Sequence, residues 1–547
     1  MFRRIINGQI NSITLAALLV ALSSLVSRFL GIFRDRILAG EFGAGDTLDI
    51  YYAAFRIPDL VFNLLVLGAL SAGFIPIFTG LLKSPLKKAR DIFSPADHKA
   101  AWELASNVIN IMGFGLIILS GLGIVFAAQL TGLISPGFAP EKQALTAELT
   151  RIMFLSPVFL GISGVLGGIL QSFKRFFVYS LSPIMYNIGI IAGALYLTPL
   201  WGVYGLAWGV ALGSFMHMII QLPAVISLGF RYVPKIKFKN SEIKKIGAMM
   251  IPRTLTLAIS QINLVVITII ASTLASGSLV IFNFANNLQS FPVGIFGISY
   301  AIAAFPALSA VAFSKKRLID NFSVTLRQIL FFIAPATVLL LTLRAQIIRV
   351  IFGTGRFDWQ DTILTIDTLG FFTLSLFAQA LIPLLIRVFY ARHNSKTPFF
   401  VGLATAMANV FLSLWLAGRY GVAGLALAFS IASILNFIIL WIVLRLELGD
   451  MDESRILIST VKFSAAAILC GVAVQGMKLA VWPFVDMTKF WGVLVQGAAA
   501  GLAGIIVYII ICMVLRSEEL FNFWSSIKRR LPFKKVETGD QGEARGI

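Results

Sequence analysis

Five ionisable residues crowd into the first two apolar stretches of the chain. Arg28, Arg34 and Asp35 stand near the end of the first, and Arg56 and Asp59 near the start of the second. The turn between them reads Glu41-Phe42-Gly43-Ala44-Gly45-Asp46. Ionisable side chains at such depth are costly in hydrocarbon and face a protein interior or a water-filled cavity. A cation held there suits an anionic ligand, and Arg is favoured for phosphate because its planar fork bonds two oxygens together. The chemistry therefore points to a phosphate- or carboxylate-bearing ligand. The structural alternative is local pairing, Arg34 with Asp35 or Arg56 with Asp59, or snorkelling to the interface. Arg28, which follows Ser27 in an otherwise apolar run, fits that alternative least.

Two further places carry polarity into apolar sequence. Arg253 follows Pro252 near the start of a later run, as an interfacial anchor or as a second cavity cation. Asn283, Asn286, Asn287 and Gln289 then occupy about two helical turns before Phe291-Pro292. Amides in hydrocarbon either bond across helices or face water, so these are helix glue or a polar cavity wall. Catalysis has few candidates: the acidic residues are mostly solitary, and a membrane enzyme needs a carboxylate pair or an acidic metal cluster. His98, His217 and His393 match no ligand spacing, and Cys470 and Cys512 lie in apolar stretches. The expectation is a protein that is not an enzyme and has no metal, disulfide or cofactor.

The elements that must position these groups are membrane helices. Of 547 residues, 58% are hydrophobic and 13% charged, with a mean hydropathy of +0.89; soluble domains sit at roughly 45–50% apolar and about 25% charged. Runs near 12–34, 51–80, 104–128, 150–172, 178–199, 202–228, 246–273, 279–312, 324–348, 364–391, 398–418, 421–445, 458–480 and 490–515 are long enough to span. The expected fold is thus all-α and polytopic, with about fourteen transmembrane helices. Lys and Arg collect in alternate connections, for example Lys83 to Arg90, Arg231 to Lys239 and Lys315 to Arg317, which places both termini in the cytoplasm. Arg344, Arg349 and Arg356 break that pattern. The net charge of +20 is distributed between apolar runs, which argues against nucleic acid as a partner.

Internal repetition organises the spans. Gly202-Val203-Tyr204-Gly205-Leu206-Ala207 recurs as Gly421-Val422-Ala423-Gly424-Leu425-Ala426, and Gly73-Phe74-Ile75-Pro76 resembles Ala304-Phe305-Pro306. Both matches correspond to a shift of six spans, so two halves run in the same direction about an axis along the membrane normal. This predicts two pseudo-symmetric six-helix lobes, 1–240 and 241–450, two additional C-terminal helices over 451–515, and a basic cytoplasmic tail over 516–547.

Certain motifs are similar to those of a known family. Ser27-Arg28-Phe29-Leu30-Gly31-Ile32-Phe33-Arg34-Asp35, then Phe42-Gly43-Ala44-Gly45 with Asp49, Ala54-Phe55-Arg56-Ile57-Pro58 and Phe74-Ile75-Pro76, resemble the opening of the MurJ/MviN lipid II flippases. Phe291 to Gly297, Gly355-Arg356-Phe357-Asp358 and Lys396-Thr397-Pro398 extend the likeness over nearly the whole chain. The resemblance implies alternating access in the bacterial cytoplasmic membrane, within the multidrug, oligosaccharidyl-lipid and polysaccharide exporter superfamily. A cationic cavity would take the pyrophosphate of lipid II, the undecaprenyl-linked disaccharide-pentapeptide used for peptidoglycan, driven by membrane potential or an ion gradient. It places substrate-binding residues at Ser27, Arg28, Arg34, Asp35 and Asp49; Arg56, Arg253, Asn286 and Asn287 join them from the reading of the charges and amides. The chain departs from the family pattern at Phe62 and Leu67, where a basic and an acidic residue are common, and at Ala285-Asn286-Asn287, where Ala-Asp-Arg is. Other expected functions are export of another polyprenyl-linked saccharide or amphiphile, and a non-transporting scaffold for cell-wall synthesis proteins.

Overall fold

In hydrocarbon every backbone N–H and C=O must be bonded internally, which a helix achieves segment by segment. The computed structural model describes residues 13–67, 73–82 and 98–530, and among the described residues the elements are helical throughout. The chain begins with α1 (Ile13–Phe42), α2 (Asp46–Phe62), α3 (Ile75–Leu82), α4 (Lys99–Val125), α5 (Ala127–Ile134), α6 (Pro140–Met153) and α7 (Leu155–Ser172). It continues through α8 (Phe176–Ala192), α9 (Thr198–Trp201), α10 (Tyr204–Ile219), α11 (Leu222–Ser227), α12 (Ser241–Ser272), α13 (Ser278–Pro292) and α14 (Ser299–Ala310). The remainder is α15 (Lys315–Ile351), α16 (Trp359–Thr373), α17 (Leu376–Ala391), α18 (Lys396–Leu448), α19 (Glu453–Val481), α20 (Phe490–Val514) and α21 (Glu518–Arg530).

Nine of these helical stretches are long and apolar enough to cross a bilayer, or ten with α16 and α17, bent by 44°, taken as one span. The chain is therefore an all-α, multi-pass membrane protein. Helix α18 alone holds 53 residues, about 80 Å if straight, against a hydrocarbon core of about 30 Å. Its helical path is broken at Gly421, at φ 57° and ψ −138°, so it contains the two runs expected at 398–418 and 421–445. Gly202, its counterpart in the sequence repeat, has φ 58° and ψ −143° before α10. Two distant positions share a conformation that only glycine adopts readily, which is independent support for the repeat.

Among the described residues three helical stretches contain wide π turns, at Asn63–Leu67, Gly193–Leu197 and Val293–Ile298. The first and third each begin thirteen residues before a proline of the repeated motif, Pro76 and Pro306. Each also has a carbonyl that accepts from a hydroxyl: Leu64 from Thr254 at 3.1 Å, Gly193 from Thr198 at 3.1 Å and Gly294 from Ser299 at 2.9 Å. A turn that loosens the α-helical ladder is tolerable in lipid when such donors satisfy it.

By contacts the chain forms two compact units. One comprises Met1–Phe291, Ile347–Ser375 and Ser395–Ile439, the other Pro292–Gln346, Leu376–Asn394 and Leu440–Ile547. These boundaries differ from the division by repeats, because the first unit takes in α12, α13 and α16. Within the first unit α8 and α10 meet through glycines. A Cβ on Gly189 would lie 2.3 Å from the Gly213 Cα, and one on Gly193 2.3 Å from the Gly209 Cα. Such contact brings backbones together where lipid offers no hydrophobic drive to associate. In the second unit α19 and α20 pack along their lengths, with Cys470, Gly504 and Val474 in contact.

Candidate functional site

Helix α1 does not end near Arg34, as the sequence suggested, but runs on to Phe42, so Arg34 and Asp35 stand in its interior. Asp35 is 2% exposed. Its Oδ1 accepts from Arg34 Nε at 3.0 Å and Nη2 at 2.7 Å, and its Oδ2 from Asn287 Nδ2 of α13 at 2.9 Å. Arg34 Nη1 also donates to Asn187 Oδ1 of α8 at 3.1 Å, and Asn187 in turn donates to the Pro183 carbonyl at 3.0 Å. Both carboxylate oxygens and all three guanidinium nitrogens are engaged, so the group is fixed from three helices.

This network borders two adjoining cavities in the first unit. One, of about 190 Å³, is lined by Arg34, Tyr51, Tyr52, Phe55, Arg56, Asp59, Ile190, Asn283 and Asn287. The other, of about 290 Å³, shares Arg34, Phe55 and Asp59 and adds Pro58, Phe62, Met153, Ser156, Pro157, Leu160, Pro183, Tyr186, Val210 and His217. The first has a polar wall and the second a mostly apolar one. Arg56 is held by α12, donating from Nε to Thr268 Oγ1 at 2.8 Å. Tyr52 Oη is buried without a hydrogen-bond partner among the described residues, so a ligand donor or acceptor reaching it would satisfy an open valence. His217 Nδ1 lies 2.7 Å from Ser163 Oγ, to which Gln221 Nε2 donates at 2.5 Å. Two cations and two carboxylates meet around this chamber. Asp35 is turned into the protein against Arg34, which leaves Arg34, Arg56 and Asp59 on the walls.

A second polar group closes the far end of α1. Asp49 is 2% exposed and accepts from the N–H groups of Gly277 at 2.8 Å and Val280 at 3.2 Å, and from Lys142 Nζ at 3.1 Å. Asp46 accepts from Lys142 at 2.6 Å and from Ser276 Oγ at 2.6 Å. The N–H of Ala44 donates to Asp361 at 3.0 Å, that of Arg356 to the Gly40 carbonyl at 2.8 Å, and Arg36 to the carbonyls of Val350 and Ile351. Helices from both sequence repeats are thus stitched together at this end.

Of the residues singled out from sequence, Arg34, Asp35, Arg56 and Asn287 come together at the chamber. Asp49 belongs to the closed end. Ser27 is half-buried and Arg28 exposed, earlier on α1, and neither lines the two cavities. Asn286 accepts from Gln289 of its own helix at 3.1 Å and is not on the chamber wall. The side chain of Arg253 lies outside the described residues. Arg387, a further cation within an apolar helix, donates to the Pro383 carbonyl at 3.1 Å in α17. Sequence reasoning left out Tyr51, Tyr52 and Asn187, took His217 only as matching no ligand spacing, weighed Asn283 as helix glue or cavity wall, and noted Asp59 without assigning it a ligand role. Asp59 follows Arg56 by one helical turn and Asn187 follows Pro183 by one, spacings that place each pair on one face.

The sequence model of a family described as lipid II flippase MurJ matches residues 38–495. A probable lipid II flippase MurJ of Vibrio cholerae is 30% identical over 496 residues, covering 87% of this chain and 91% of that protein. The lipid II flippase MurJ of Burkholderia cenocepacia is 28% identical over 445 residues, covering 79% and 83%. Among solved structures, a lipid II flippase MurJ in an inward closed conformation superposes with a TM-score of 0.74 at 25% identity, over 94% of this chain and all of that one. An inward-facing multidrug resistance transporter of the MATE family and MOP superfamily gives a TM-score of 0.64 at 15% identity over 80% of this chain, a likeness of fold alone.

Proposed function

The chain belongs to the lipid II flippase MurJ family, and from that premise we propose that it moves lipid II across the cytoplasmic membrane for peptidoglycan synthesis. It is a flippase, a membrane transporter whose work is translocation. The observation that carries the reading of the site is the Arg34–Asp35–Asn287 network on the wall of a chamber that Arg56 and Asp59 also line. A pyrophosphate cannot cross hydrocarbon unaided, since each buried charge costs several kcal/mol or more. Guanidinium groups already fixed in orientation meet it without further ordering. Because the four charges at the chamber balance, an entering dianion needs additional positive charge. Arg28, exposed earlier on the same helix and outside the two cavities, would supply it by turning toward the headgroup. The apolar half of the chamber, walled by Phe55, Phe62 and Leu160, suits the less polar parts of the headgroup.

The transport cycle in this reading is alternating access between two six-helix lobes, 1–240 and 241–450, with 451–515 as added helices and 516–547 as a cytoplasmic tail. The basic connections put both termini in the cytoplasm. The stitched end of α1, with Asp49 and Lys142, then faces outward and is shut, and release requires it to open. Membrane potential or an ion gradient drives the cycle, and cell-wall synthesis proteins are the natural consumers at the outer face.

The test is translocation of labelled lipid II in proteoliposomes, paired with rescue of cells depleted of their own lipid II flippase. Wild type should support both, and Arg34→Ala or Arg28→Ala should reduce both at least tenfold with unchanged membrane levels. Failure of well-expressed wild type in both assays, or unchanged activity of both variants, overturns the reading. Movement of a different undecaprenyl-pyrophosphate saccharide in preference to lipid II would reassign the substrate.

A further inference from the structure

At the C-terminal end of the second unit, α20 leaves the membrane and the chain turns at Arg516, whose φ is 49°. It then enters α21, whose sequence Glu-Glu-Leu-Phe-Asn-Phe-Trp-Ser-Ser-Ile-Lys-Arg-Arg alternates at helical spacing between apolar and polar residues. One side of α21 is clasped. Arg327 of α15, 5% exposed, donates to Glu519 at 2.5 Å and to Glu518 at 3.1 Å. Ser459 of α19 donates to Glu519 Oε1 at 2.9 Å and Ser517 to Oε2 at 2.8 Å. Phe523 meets the Phe332 ring edge to face at 5.2 Å. Another side is open: Phe521 is 53% exposed and Trp524 57%.

The open side continues the apolar surface of α20, where Ile510 is 48% and Met513 50% exposed. Where the two helices meet, an open cavity of about 580 Å³ is lined by Met513, Arg516, Glu518, Phe521 and Asn522. The charge there is one-sided. Arg327 occupies the two carboxylates of α21, whereas Arg516 precedes them and Lys528-Arg529-Arg530 close the helix. A short helix with aromatic residues on its open side and a basic end, directly following a span, fits the plane of the bilayer interface.

We propose that this corner is a binding site for an anionic phospholipid. An acyl chain lies along Ile510 and Met513 and under Phe521, and the headgroup phosphate meets Arg516 on the cavity wall. The Arg327–Glu519 clasp fixes the helix to α15 and α19, so the site is preformed. Charge complementarity selects the occupant: a zwitterionic lipid offers the same chains without the net negative charge that the cations favour, each basic residue near an anionic surface contributing about 1 kcal/mol, or roughly fivefold in affinity.

The experiment uses the full-length protein in bilayers in which either the phosphatidylglycerol or the phosphatidylcholine is brominated. The chain has nine tryptophans, so the emission of Trp524→Phe is subtracted from that of wild type to isolate Trp524. Brominated lipid should quench this difference signal, brominated phosphatidylglycerol about fivefold more effectively at equal mole fraction. Arg516→Gln should equalise the two lipids while leaving quenching by both. A difference signal untouched by brominated lipid but quenched by aqueous iodide would overturn the proposal and mark a water-facing or protein-binding helix. Equal quenching of wild type by both lipids would overturn the anionic selectivity. Monodisperse elution of each variant separates these outcomes from misfolding, and none of them depends on which lipid-linked substrate is carried.

Discussion

Asn287 holds the chamber's charge network by donating to Asp35 Oδ2 at 2.9 Å, and its neighbours dictate what can replace it. Asn287→Asp places a second carboxylate against the first, which like-charge repulsion and the lost donor both oppose. Translocation should fall by at least tenfold, and thermal unfolding in detergent should shift down by several degrees. Asn287→Arg restores a donor and adds a cation facing Asp35, so it should retain activity in the same assays; loss there would mean that the site has no room for the extra charge. At the stitched end, hydrogen bonds from Lys142 and Ser276 hold the Asp46 carboxyl below its ordinary range. A depressed folded-state pKa contributes stability above the unfolded value of about 3.9, which is lost as pH falls through the folded value. Accessibility of a cysteine introduced as Ala271→Cys, a buried position on the last turn of α12, should therefore stay constant from pH 8 to pH 5. Lys142→Ala should raise it throughout that range, whereas an increase in wild type already at pH 6 would contradict the assignment.

The helices differ in what a single methyl group does to them. A Cβ at Gly209 would lie 2.6 Å from the Gly193 Cα, whereas one at Gly421 meets nothing within 4 Å and is opposed only by its φ of +57°. Gly209→Ala must therefore push two backbones apart, while Gly421→Ala carries local strain of roughly 1–3 kcal/mol. Differential scanning of purified variants should rank Gly209→Ala well below Gly421→Ala, and the reverse order would deny the glycine contact a structural role. Span positions were legible because apolar length survives any tertiary context, and α18 shows it: two runs read from sequence are joined in one helical stretch whose path breaks at Gly421, where the second run begins. The wide turns were not legible, because Leu64 takes its hydroxyl from Thr254, far away in sequence. In the site, Arg34, Asp35 and Arg56 announced themselves as charges in apolar runs. Tyr51, Tyr52 and Asn187 did not, since tyrosines near an interface and a single amide in a span are ordinary. Asp49 stands apart from the chamber, and its surroundings were not legible because a buried carboxylate can be satisfied by backbone N–H groups such as those of Gly277 and Val280 as well as by a ligand.

In the alternating-access cycle proposed above, the stitched end parts and re-forms each time a headgroup crosses from one leaflet to the other. Gly40 and Thr354 offer a way to stop it, because a Cβ on Gly40 would lie 3.0 Å from Thr354 Cγ2, within the geometry a disulfide can span after small adjustment. Gly40→Cys with Thr354→Cys should abolish translocation under oxidising conditions and regain it with reductant. The native Cys470 and Cys512 are buried and should not interfere. Full activity of the oxidised, crosslinked protein would mean that transport proceeds without opening here.

The wide turns also bear on the medium around the protein. An added residue in a π turn contributes almost no length, so a span that exchanges a wide turn for a regular one changes its reach across the bilayer. The bonds from Thr254, Thr198 and Ser299 cover the carbonyls concerned in the wide form. Where such a turn exchanged with a regular one, thickness mismatch that a rigid helix meets by tilting would be absorbed along the axis instead. Activity should accordingly vary little between bilayers of short- and long-chain lipids, and Ser299→Ala should narrow the range of thickness over which the protein works.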